Sequence, residues 1–229
     1  MTLEDFKNGQ VLLIDKPLEW TSFQVVNKVR WLIKKRFGIK KIKVGHAGTL
    51  DPLASGLLIL CTGKFTKKIE TFQAQEKEYV ATFHLGATTP SYDLETDVDQ
   101  TFDISEITEE KIRNIVPNFL GTIEQQPPIF SAVKKEGKRL YEYARKGQEV
   151  DIPTRNVQIM TFEIIDISLP KVEARIVCSK GTYIRSLAHD FGKALNNGAY
   201  LSALRRTKIG DFSVENAQSI AAVEALLFH

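Results

Sequence analysis

The segment GHAGTLDPLASGLL, residues 45–58, places one imidazole and one carboxylate, His46 and Asp51, among small and apolar residues. Proteins use carboxylates as nucleophiles and as proton acceptors, so this segment is the first candidate for chemistry. If a helix began at Asp51, Gly56 would interrupt it after about one turn. An apolar run, residues 57–60, follows. The pattern predicts a tight loop that presents Asp51 and leads into a buried strand.

The same residues allow an alternative in which Asp51 has no chemical role. Asp is a favoured helix N-cap and Pro is favoured at the first helical position, as in Asp51–Pro52. Pro52 also biases the residue before it toward an extended conformation, which suits a cap. In this interpretation a helix starts here and Asp51 caps it.

Two other segments contain side chains that suit a reaction site. Tyr79 lies in KEYVATFHLG, which alternates as a strand does, and the alternative is an ordinary strand aromatic. Arg185 lies in KGTYIRSLAHDFG, and it falls in the first turn of a helix if Thr182 is the cap. A cation there opposes the helix dipole by up to about 1 kcal/mol. We therefore predict an anionic partner for Arg185.

A fourth segment, residues 131–150, is basic and carries Tyr141 and Tyr143. One interpretation is an exposed surface helix that ends at Gly147. The other is a mobile basic flap over a polyanion, because many like charges and few large aliphatic side chains leave the segment little to pack against.

Composition excludes several classes of protein. The chain has 229 residues, 43% of them hydrophobic, which is ordinary for a protein with a buried core. Its apolar runs are far shorter than the roughly 18 residues of a membrane span, and residues 1–8 resemble no signal peptide. Cys61 and Cys178 lie in apolar stretches, which predicts buried thiols and a cytoplasmic, reducing location. The two cysteines and four histidines have no metal-ligand spacing.

Charge is segregated along the chain although the net charge is only +3. Residues 91–110 contain eight acids and no Lys or Arg. Any one basic cluster is typical of solvated surface, but together they predict a basic face that meets phosphates. The basic clusters are Lys34–Lys35–Arg36, Lys40–Lys41–Lys43, Lys64–Lys67–Lys68, Lys134–Lys135–Lys138–Arg139 and Arg205–Arg206–Lys208.

Periodicity predicts a mixed α+β chain without regular βαβ alternation. Ser22 is the predicted cap of the first long helix. The predicted strands are residues 11–15, 57–60, 78–86, 119–124, 157–168 and 172–178, and the predicted helices are residues 22–36, 108–116, 182–196 and 219–227.

Five segments together resemble the TruB family, the bacterial tRNA pseudouridine-55 synthases. They occur in the family's order and span most of the chain. They are LLIDKPLEWTSFQVVNKVR (residues 12–30), GHAGTLDPLASGLL (45–58), KEYVATFHLGATTPSYDLETD (77–97), QQPPIFSAVKKEGKRLYEYARKG (125–147) and CSKGTYIRSLAHDFG (178–192).

The resemblance implies the pseudouridine synthase fold, with one catalytic domain over residues 1–229 and residues 131–150 as a thumb-like insertion. A central, mostly antiparallel sheet is expected, flanked by helices, with the active site in a cleft across it. The implied enzyme is an isomerase that acts on a uridine in the T-loop of tRNA, at position 55. It detaches the base at its N-glycosidic bond, rotates it and rejoins it to ribose through C5. No metal, cofactor, membrane or obligatory protein partner is expected.

The resemblance also assigns catalytic roles. Asp51 is expected to be the essential carboxylate, which either attacks the sugar or abstracts a ribose proton, and these two routes stay open. Positive charge that develops on the ribose favours a nearby carboxylate in either case. Arg185 is expected to pair with Asp51 and keep it ionised. Tyr79 is expected to stack on the flipped base and to help remove the C5 proton.

Four further residues match substrate-binding positions of the family. His46 is expected to fill the space that the flipped base leaves in the RNA stack. Lys16 is expected either to neutralise phosphate or to support the loop. Asp93 and Leu204 are expected to position the substrate.

The chain departs from many family members in two places. We expect no separate C-terminal RNA-binding module of the PUA type after His229, and Phe130 stands where a tyrosine is often found. Two other functions are compatible with the motifs. One is a tRNA-folding chaperone, which can coexist with catalysis. The other is a guide-RNA-dependent enzyme of the dyskerin type, which the short chain disfavours.

The segregated basic clusters predict that RNA binding is mainly electrostatic. The affinity for tRNA should fall steeply between about 50 and 200 mM salt, because neutralised phosphates release counterions. Filter binding across that range measures the effect. An affinity that stays flat would contradict the prediction of a basic face.

Overall fold

The apolar run after Asp51 forms a strand, Ala54–Thr62, in which every residue from Gly56 onward is buried. The computed structural model describes residues 1–135, 137–148 and 150–228. The helices are α1 (Leu3–Asn8), α2 (Ser22–Phe37), α3 (Ile69–Ala74), α4 (Glu109–Ile115), α5 (Leu140–Ala144), α6 (Ile184–Ala194) and α7 (Ile220–Phe228). The strands are β1 (Val11–Lys16), β2 (Val44–His46), β3 (Ala54–Thr62), β4 (Lys77–Leu85), β5 (Ala87–Thr88), β6 (Gln100–Thr101), β7 (Gly121–Gln125), β8 (Lys134–Lys135), β9 (Lys138–Arg139), β10 (Arg155–Ser168), β11 (Lys171–Cys178), β12 (Ala199–Ile209) and β13 (Phe212–Ser213).

The described residues divide into two units. The first unit comprises residues 1–79 together with the residues from 204 onward, and the second unit comprises residues 80–203. None of the helices in the described residues is long and apolar enough to cross a membrane.

Most of the strands belong to a large, mostly antiparallel sheet with helices against it, which confirms the predicted α+β class. Strands β5 and β6 form a separate pair, and so do β8 and β9. In the first unit the strand order is β1-β3-β12, with β2 along β3 and β13 along β12. Of these pairs, β3 and β12 run parallel and the others antiparallel. In the second unit the order is β4-β11-β10-β7. The cleft and the single catalytic domain remain predictions.

Strand β3 is buried on both faces, which explains its nearly continuous apolar sequence. On one face Leu58 and Leu60 pack in a cluster with α2 and α7. On the other face Leu57, Ile59 and Cys61 pack in a second cluster. The predicted inward face of the first long helix is confirmed. It consists of Val25, Val29, Leu32 and Ile33, all of them fully buried.

The core of the second unit is aromatic. Phe191 of α6 lies 5.4 to 5.7 Å, between ring centroids, from Phe83, Phe119 and Phe162. Tilted and edge-to-face pairs of this kind stabilise a core beyond the area that they bury. This cluster holds α6, and therefore Arg185 in its first turn, against the strands of the second unit.

Two predicted helix caps are wrong although both helices exist. Thr21, not Ser22, caps α2, because its hydroxyl accepts from Gln24 N and the Gln24 side chain accepts from Thr21 N. Tyr183, not Thr182, is the cap position of α6. The Thr182 hydroxyl instead donates to the Ser179 carbonyl at 3.0 Å. Arg185 still lies in the first turn of its helix, as predicted.

Residues 131–150, which are expected to be a thumb-like insertion, contain a two-stranded pairing and a short helix. Glu136 and Glu149 lie outside the described residues. Strands β8 and β9 pair, and α5 follows directly, so the interpretation as one surface helix ending at Gly147 is wrong. Leu140 is buried, with 1% of its surface exposed, and its amide donates to the Val133 carbonyl at 2.8 Å. Whether RNA orders this segment remains a prediction.

Gly56 lies between Lys16 of β1 and Arg206 of β12, because the strand registers pair it with both. Its backbone has a φ of 102°, which L side chains rarely adopt. A Cβ at this position would lie 2.3 Å from the Arg206 carbonyl oxygen. Only glycine therefore permits β3 and β12 to approach this closely.

We expect Gly56→Ala to lower the free energy of unfolding by about 2–4 kcal/mol, since both the backbone angle and the strand spacing must change. Gly38→Ala is the matched control. Gly38 also has a positive φ, 62°, but a Cβ added there would meet no other described atom within 4 Å. The control should lose only about 1 kcal/mol. Urea unfolding of both variants measures the difference, and equal losses would show that strand spacing contributes nothing.

Candidate active site

Asp51 begins a turn and is half-buried there. The Asp51 carbonyl accepts from Ala54 N at 3.1 Å, and β3 starts at Ala54. The Pro52 carbonyl accepts from Glu19 N at 2.8 Å. The loop-and-strand prediction is confirmed, and the interpretation of Asp51 as a helix cap is wrong, because no helix starts at this residue.

The Ser22 side chain does not cap α2 but bonds to the backbone of Leu50, the residue before Asp51. Its hydroxyl donates to the Leu50 carbonyl at 3.0 Å and accepts from Leu50 N at 2.8 Å. Both residues are buried. One side chain at the start of α2 thus satisfies both backbone groups of Leu50, which fixes the path of the chain into the Asp51 turn.

Lys16, at the end of β1, lies beneath the same turn and is fully buried. Its ammonium group donates to the carbonyls of Pro17 at 2.8 Å, Trp20 at 2.6 Å and Pro52 at 3.4 Å. An ammonium group has three protons, and each has a carbonyl acceptor here. Of the two roles expected for Lys16, these contacts are those of a loop support. Its contact with phosphate remains a prediction.

Burial lowers the pKa of Lys16 to about 8, and the nearby cation Arg206 acts in the same direction. The Asp51 carboxylate opposes both effects and raises that pKa. This attraction is mutual, so the buried cation also stabilises the negative charge of Asp51.

Arg206 belongs to one of the basic clusters expected at the surface, but in the structure it supports the loop before Asp51. It is buried, with 1% of its surface exposed. Its Nε donates to the Leu57 carbonyl at 2.8 Å, and its Nη2 donates to the Gly48 carbonyl at 3.1 Å. The second bond holds the loop between His46 and Asp51. The local sequence contains no signal for this burial, because Arg206 stands among neighbouring cations and its acceptors are backbone carbonyls far away in the chain.

His46 ends β2, paired in register with Leu60, and is half-buried. Burial lowers its pKa, the Arg206 cation lowers it further, and a hydrogen bond with the Gly48 backbone raises it. The imidazole is therefore neutral at neutral pH. A neutral ring suits the expected role, which depends on shape rather than on charge.

Leu204 lies on β12 and Tyr79 lies on β4. Leu204 pairs in register with Ala54, the residue on which the Asp51 turn closes, and it is half-buried. Tyr79 is buried, with 8% exposed, on the inward face of β4. The predicted alternation of that strand is confirmed, because Tyr79, Ala81 and Phe83 are all buried.

Arg185 has the anionic partner that its helix position predicts. Its Nε lies 3.6 Å from Oδ2 of Asp93, and both side chains are at least nine-tenths buried. Its Nη1 donates to the Phe130 carbonyl at 3.0 Å and lies 3.5 Å from the Ser91 carbonyl. The contact with Phe130 uses the backbone, so the replacement of tyrosine there leaves it unchanged.

A second side chain of α6 contacts the turn that carries Asp93, which we call the acidic turn. The His189 ring, one helical turn after Arg185, stacks on Tyr92 with centroids 4.0 Å apart. Burial, together with Lys193, lowers the pKa of His189 to about 4. Asp93 itself accepts from Glu95 N at 2.9 Å. This turn is therefore fixed to α6 by one ion pair and one stacked pair.

The predicted site residues divide between the units. The first unit contains Lys16, His46, Asp51, Tyr79 and Leu204. The second unit contains Asp93 and Arg185. The pairing of Asp51 with Arg185 remains a prediction. In the described part of the chain, no group of three or more His, Cys, Asp or Glu side chains could hold a metal ion.

The lowered pKa of Lys16 predicts a pH-dependent contribution to stability. Between pH 8 and about 10.5 the unfolded chain keeps the Lys16 proton that the folded chain releases, so stability from this residue rises with pH. The free energy of unfolding of the wild type, minus that of Lys16→Met, should therefore increase across this window. Urea unfolding at pH 7.5, 9 and 10 measures it. A difference that is constant or that decreases would contradict the assignment.

Family models match both parts of the chain. One described as the TruB family pseudouridylate synthase N-terminal domain matches residues 34–184, and one described as the tRNA pseudouridylate synthase B C-terminal domain matches residues 185–229. The tRNA pseudouridine synthase B of Flavobacterium johnsoniae is 60% identical over 99% of this chain and 100% of its own length. The enzyme of the same name from Phocaeicola vulgatus is 55% identical over 94% of this chain and 92% of its own length.

Solved structures agree with this relationship. A chain in a Cbf5–Nop10–Gar1 complex matches 96% of this chain at 33% identity, with a TM-score of 0.70. A chain in an H/ACA RNP bound to a substrate RNA containing 2′-deoxyuridine matches 94% at 30% identity, with a TM-score of 0.67. This chain spans only 55% of the length of the first of those chains and 52% of the length of the second. The predicted enzyme class is confirmed: the chain belongs to the TruB family of pseudouridylate synthases.

Proposed function

We propose that this protein converts uridine 55, in the T-loop of tRNA, to pseudouridine. Family membership and the names of the relatives, tRNA pseudouridine synthase B, support an isomerase that acts on tRNA. The T-arm as the recognised part of the tRNA is our inference from the motifs. The chain is 60% and 55% identical to relatives of that name, but only 33% and 30% identical to the chains of the Cbf5–Nop10–Gar1 and H/ACA RNP complexes. We therefore propose that it acts without a guide RNA.

One observation carries the proposal: the Asp51 turn is fixed before substrate arrives. Ser22 holds Leu50, Lys16 holds Pro52, and backbone bonds join the turn to its neighbours. Catalytic groups accelerate reactions when they are held in the productive geometry, and a displacement of about 1 Å can cost about 100-fold in rate. A half-exposed carboxylate on so rigid a turn is suited to attack or proton abstraction at a bound ribose.

The proposed reaction breaks the bond between C1′ and N1, and uracil leaves with the electron pair. Asp51 either bonds to C1′ or takes a proton from the ribose. The uracil then rotates, its C5 bonds to C1′, the carboxylate is released or returns its proton, and C5 loses its own proton. Deuterium on the ribose carbon that loses the proton would slow only the second route.

Other residues have supporting roles in this proposal. The target base must leave the RNA stack to reach Asp51. Neutral His46, on the strand that leads into the Asp51 loop, would fill the space that it vacates. Tyr79 would stack on the flipped base and assist the loss of the C5 proton. Arg185, held by Asp93, would pair with Asp51, and Leu204 would contact the substrate beside the Asp51 turn.

A chaperone activity on tRNA is a second candidate. The basic hairpin of β8 and β9, Lys134–Arg139, with the cation–aromatic contacts of Tyr141 to Arg139 and Arg145, supports RNA contact that needs no turnover. Refolding of a misfolded tRNA by a catalytically inactive variant tests it. We place both activities in the cytoplasm, because Cys61 and Cys178 are buried among apolar residues, as is typical of proteins in a reducing compartment.

We expect Asp51→Asn to abolish pseudouridine formation while the protein stays folded and its tRNA affinity stays close to that of the wild type. The amide is nearly isosteric but cannot replace the carboxylate as nucleophile or base. Asp211→Asn, at an exposed turn of the same unit, is the control and should retain full turnover. The measurement is mapping of pseudouridine in an unmodified transcript. Substantial turnover by folded Asp51→Asn would contradict the proposal.

Arg185→Lys should lower the single-turnover rate at least about tenfold, because lysine keeps the charge but loses the fork that reaches several acceptors. The melting temperature of this variant should fall only modestly, since the buried charge of Asp93 keeps a cationic neighbour. A rate equal to that of the wild type would show that the guanidinium geometry is not used.

A further inference from the structure

We propose that a pocket of about 470 Å³ in the first unit binds phosphates of the RNA strand next to the flipped uridine. We call it the basic pocket. The proposal rests on the proposed function for the identity of the RNA. It goes further in assigning the phosphate contacts to particular residues. The lining residues are Arg30, Lys34, Lys40, Lys41, Ile42 and Lys43.

The local sequence explains how five cations meet in one place. Arg30 and Lys34 are four residues apart on α2, so they project from one face of the helix. Gly38 ends the helix in a left-handed conformation and turns the chain back, which brings Lys40, Lys41 and Lys43 alongside. The pocket is thus a concave surface of one charge sign, which raises the local concentration of a polyanion.

These cations have no carboxylate partner within ion-pair distance among the described residues. Two cations of the cluster around Arg205 are paired: Arg205 with Asp15 at 2.7 Å, and Lys208 with Glu78 at 3.8 Å. Basic residues outside the clusters are paired as well, such as Lys28 with Glu224. The basic pocket therefore keeps uncompensated positive charge, whereas much of the cluster around Arg205 does not.

Arg30 is already oriented. Its Nη2 donates to the Val44 carbonyl at 2.9 Å and its Nη1 donates to the Asn27 side chain at 2.8 Å. A guanidinium held by two neutral acceptors keeps its full charge and its other donors for an anion. The oriented group distinguishes this pocket from a set of freely rotating surface lysines.

The position of the basic pocket connects it to the reaction site. Lys43 directly precedes β2, and β2 ends at His46 three residues later. At about 3.3 Å per residue, the pocket margin lies about 10 Å along the strand from His46. A strand of RNA whose flipped nucleotide leaves a space at His46 would bring the phosphates of its near neighbours to this distance. RNA phosphate is therefore the occupant that location and charge favour.

The test compares charge removal inside and outside the basic pocket. Lys40→Gln with Lys41→Gln removes two charges there, and Lys111→Gln with Arg113→Gln removes two from α4. Affinity for a T-arm hairpin is measured by fluorescence anisotropy from 50 to 300 mM salt. The pocket variant should bind about 10-fold more weakly at low salt, with the slope of log affinity against log salt reduced by about 1–2. The α4 variant should match the wild type.

Two further measurements exclude simpler explanations. Lys40→Arg with Lys41→Arg restores the charge and should restore the affinity. In the second measurement, a neutral methylphosphonate replaces one phosphate at a time within three nucleotides of the target uridine. At one or two positions this replacement should weaken binding of the RNA to the wild type. At those same positions it should leave the affinity of the pocket variant unchanged. Equal losses in both double variants, or unchanged RNA affinity in the pocket variant, would overturn the proposal.

Binding and chemistry are read separately, so the two proposals can fail independently. If the wild-type protein binds the hairpin but forms no pseudouridine, the proposed function fails, and the pocket is still decided by the affinities. If the product forms and the pocket variant binds as the wild type does, the proposed function survives and the pocket assignment fails.

Discussion

The buried ammonium group of Lys16 is the contact on which the site of the first unit depends. It satisfies carbonyls at the end of β1, before α2 and in the Asp51 turn, and so ties three chain segments together. Burying a charge is costly unless it is hydrogen-bonded and compensated. Three acceptors and the attraction of Asp51 provide that compensation, which is why the proposed catalytic carboxylate and its support are coupled in both position and charge.

Further contacts extend this order outward from the turn. Gly56 admits β12 next to β3, and this approach brings the buried Arg206 to the carbonyl of Gly48. Burial lowers the pKa of His46 and the Arg206 cation lowers it further, so one side chain shapes the loop and influences the charge state of its imidazole. In the second unit, α6 orders the acidic turn through Arg185 and His189. Each unit thus carries its own preorganised half of the proposed chemistry.

Local pattern predicted most of the elements, because β3, α2 and β4 have strong apolar periodicity. It also predicted the Asp51 loop, since Gly56 is incompatible with a helix there. The predicted cap of α2 was wrong because two hydroxyl residues, Thr21 and Ser22, are adjacent there. Thr21 caps the helix, whereas Ser22 makes a tertiary contact with Leu50 that local sequence does not reveal. Arg206 was missed because its partners are carbonyls about 150 residues away, whereas sequence shows it only as one of several neighbouring cations. Contacts of this kind leave no local signal.

The central claim is that position, and not charge alone, makes Asp51 effective. Asp51→Glu tests it most directly, because glutamate keeps the carboxylate but moves it by one methylene. The measurement is the single-turnover rate of pseudouridine formation on a T-arm hairpin at saturating protein. We expect the rate to fall about 100-fold or more with unchanged hairpin affinity. A rate within a few-fold of the wild type would contradict the claim that the clamped turn sets the geometry of the reaction.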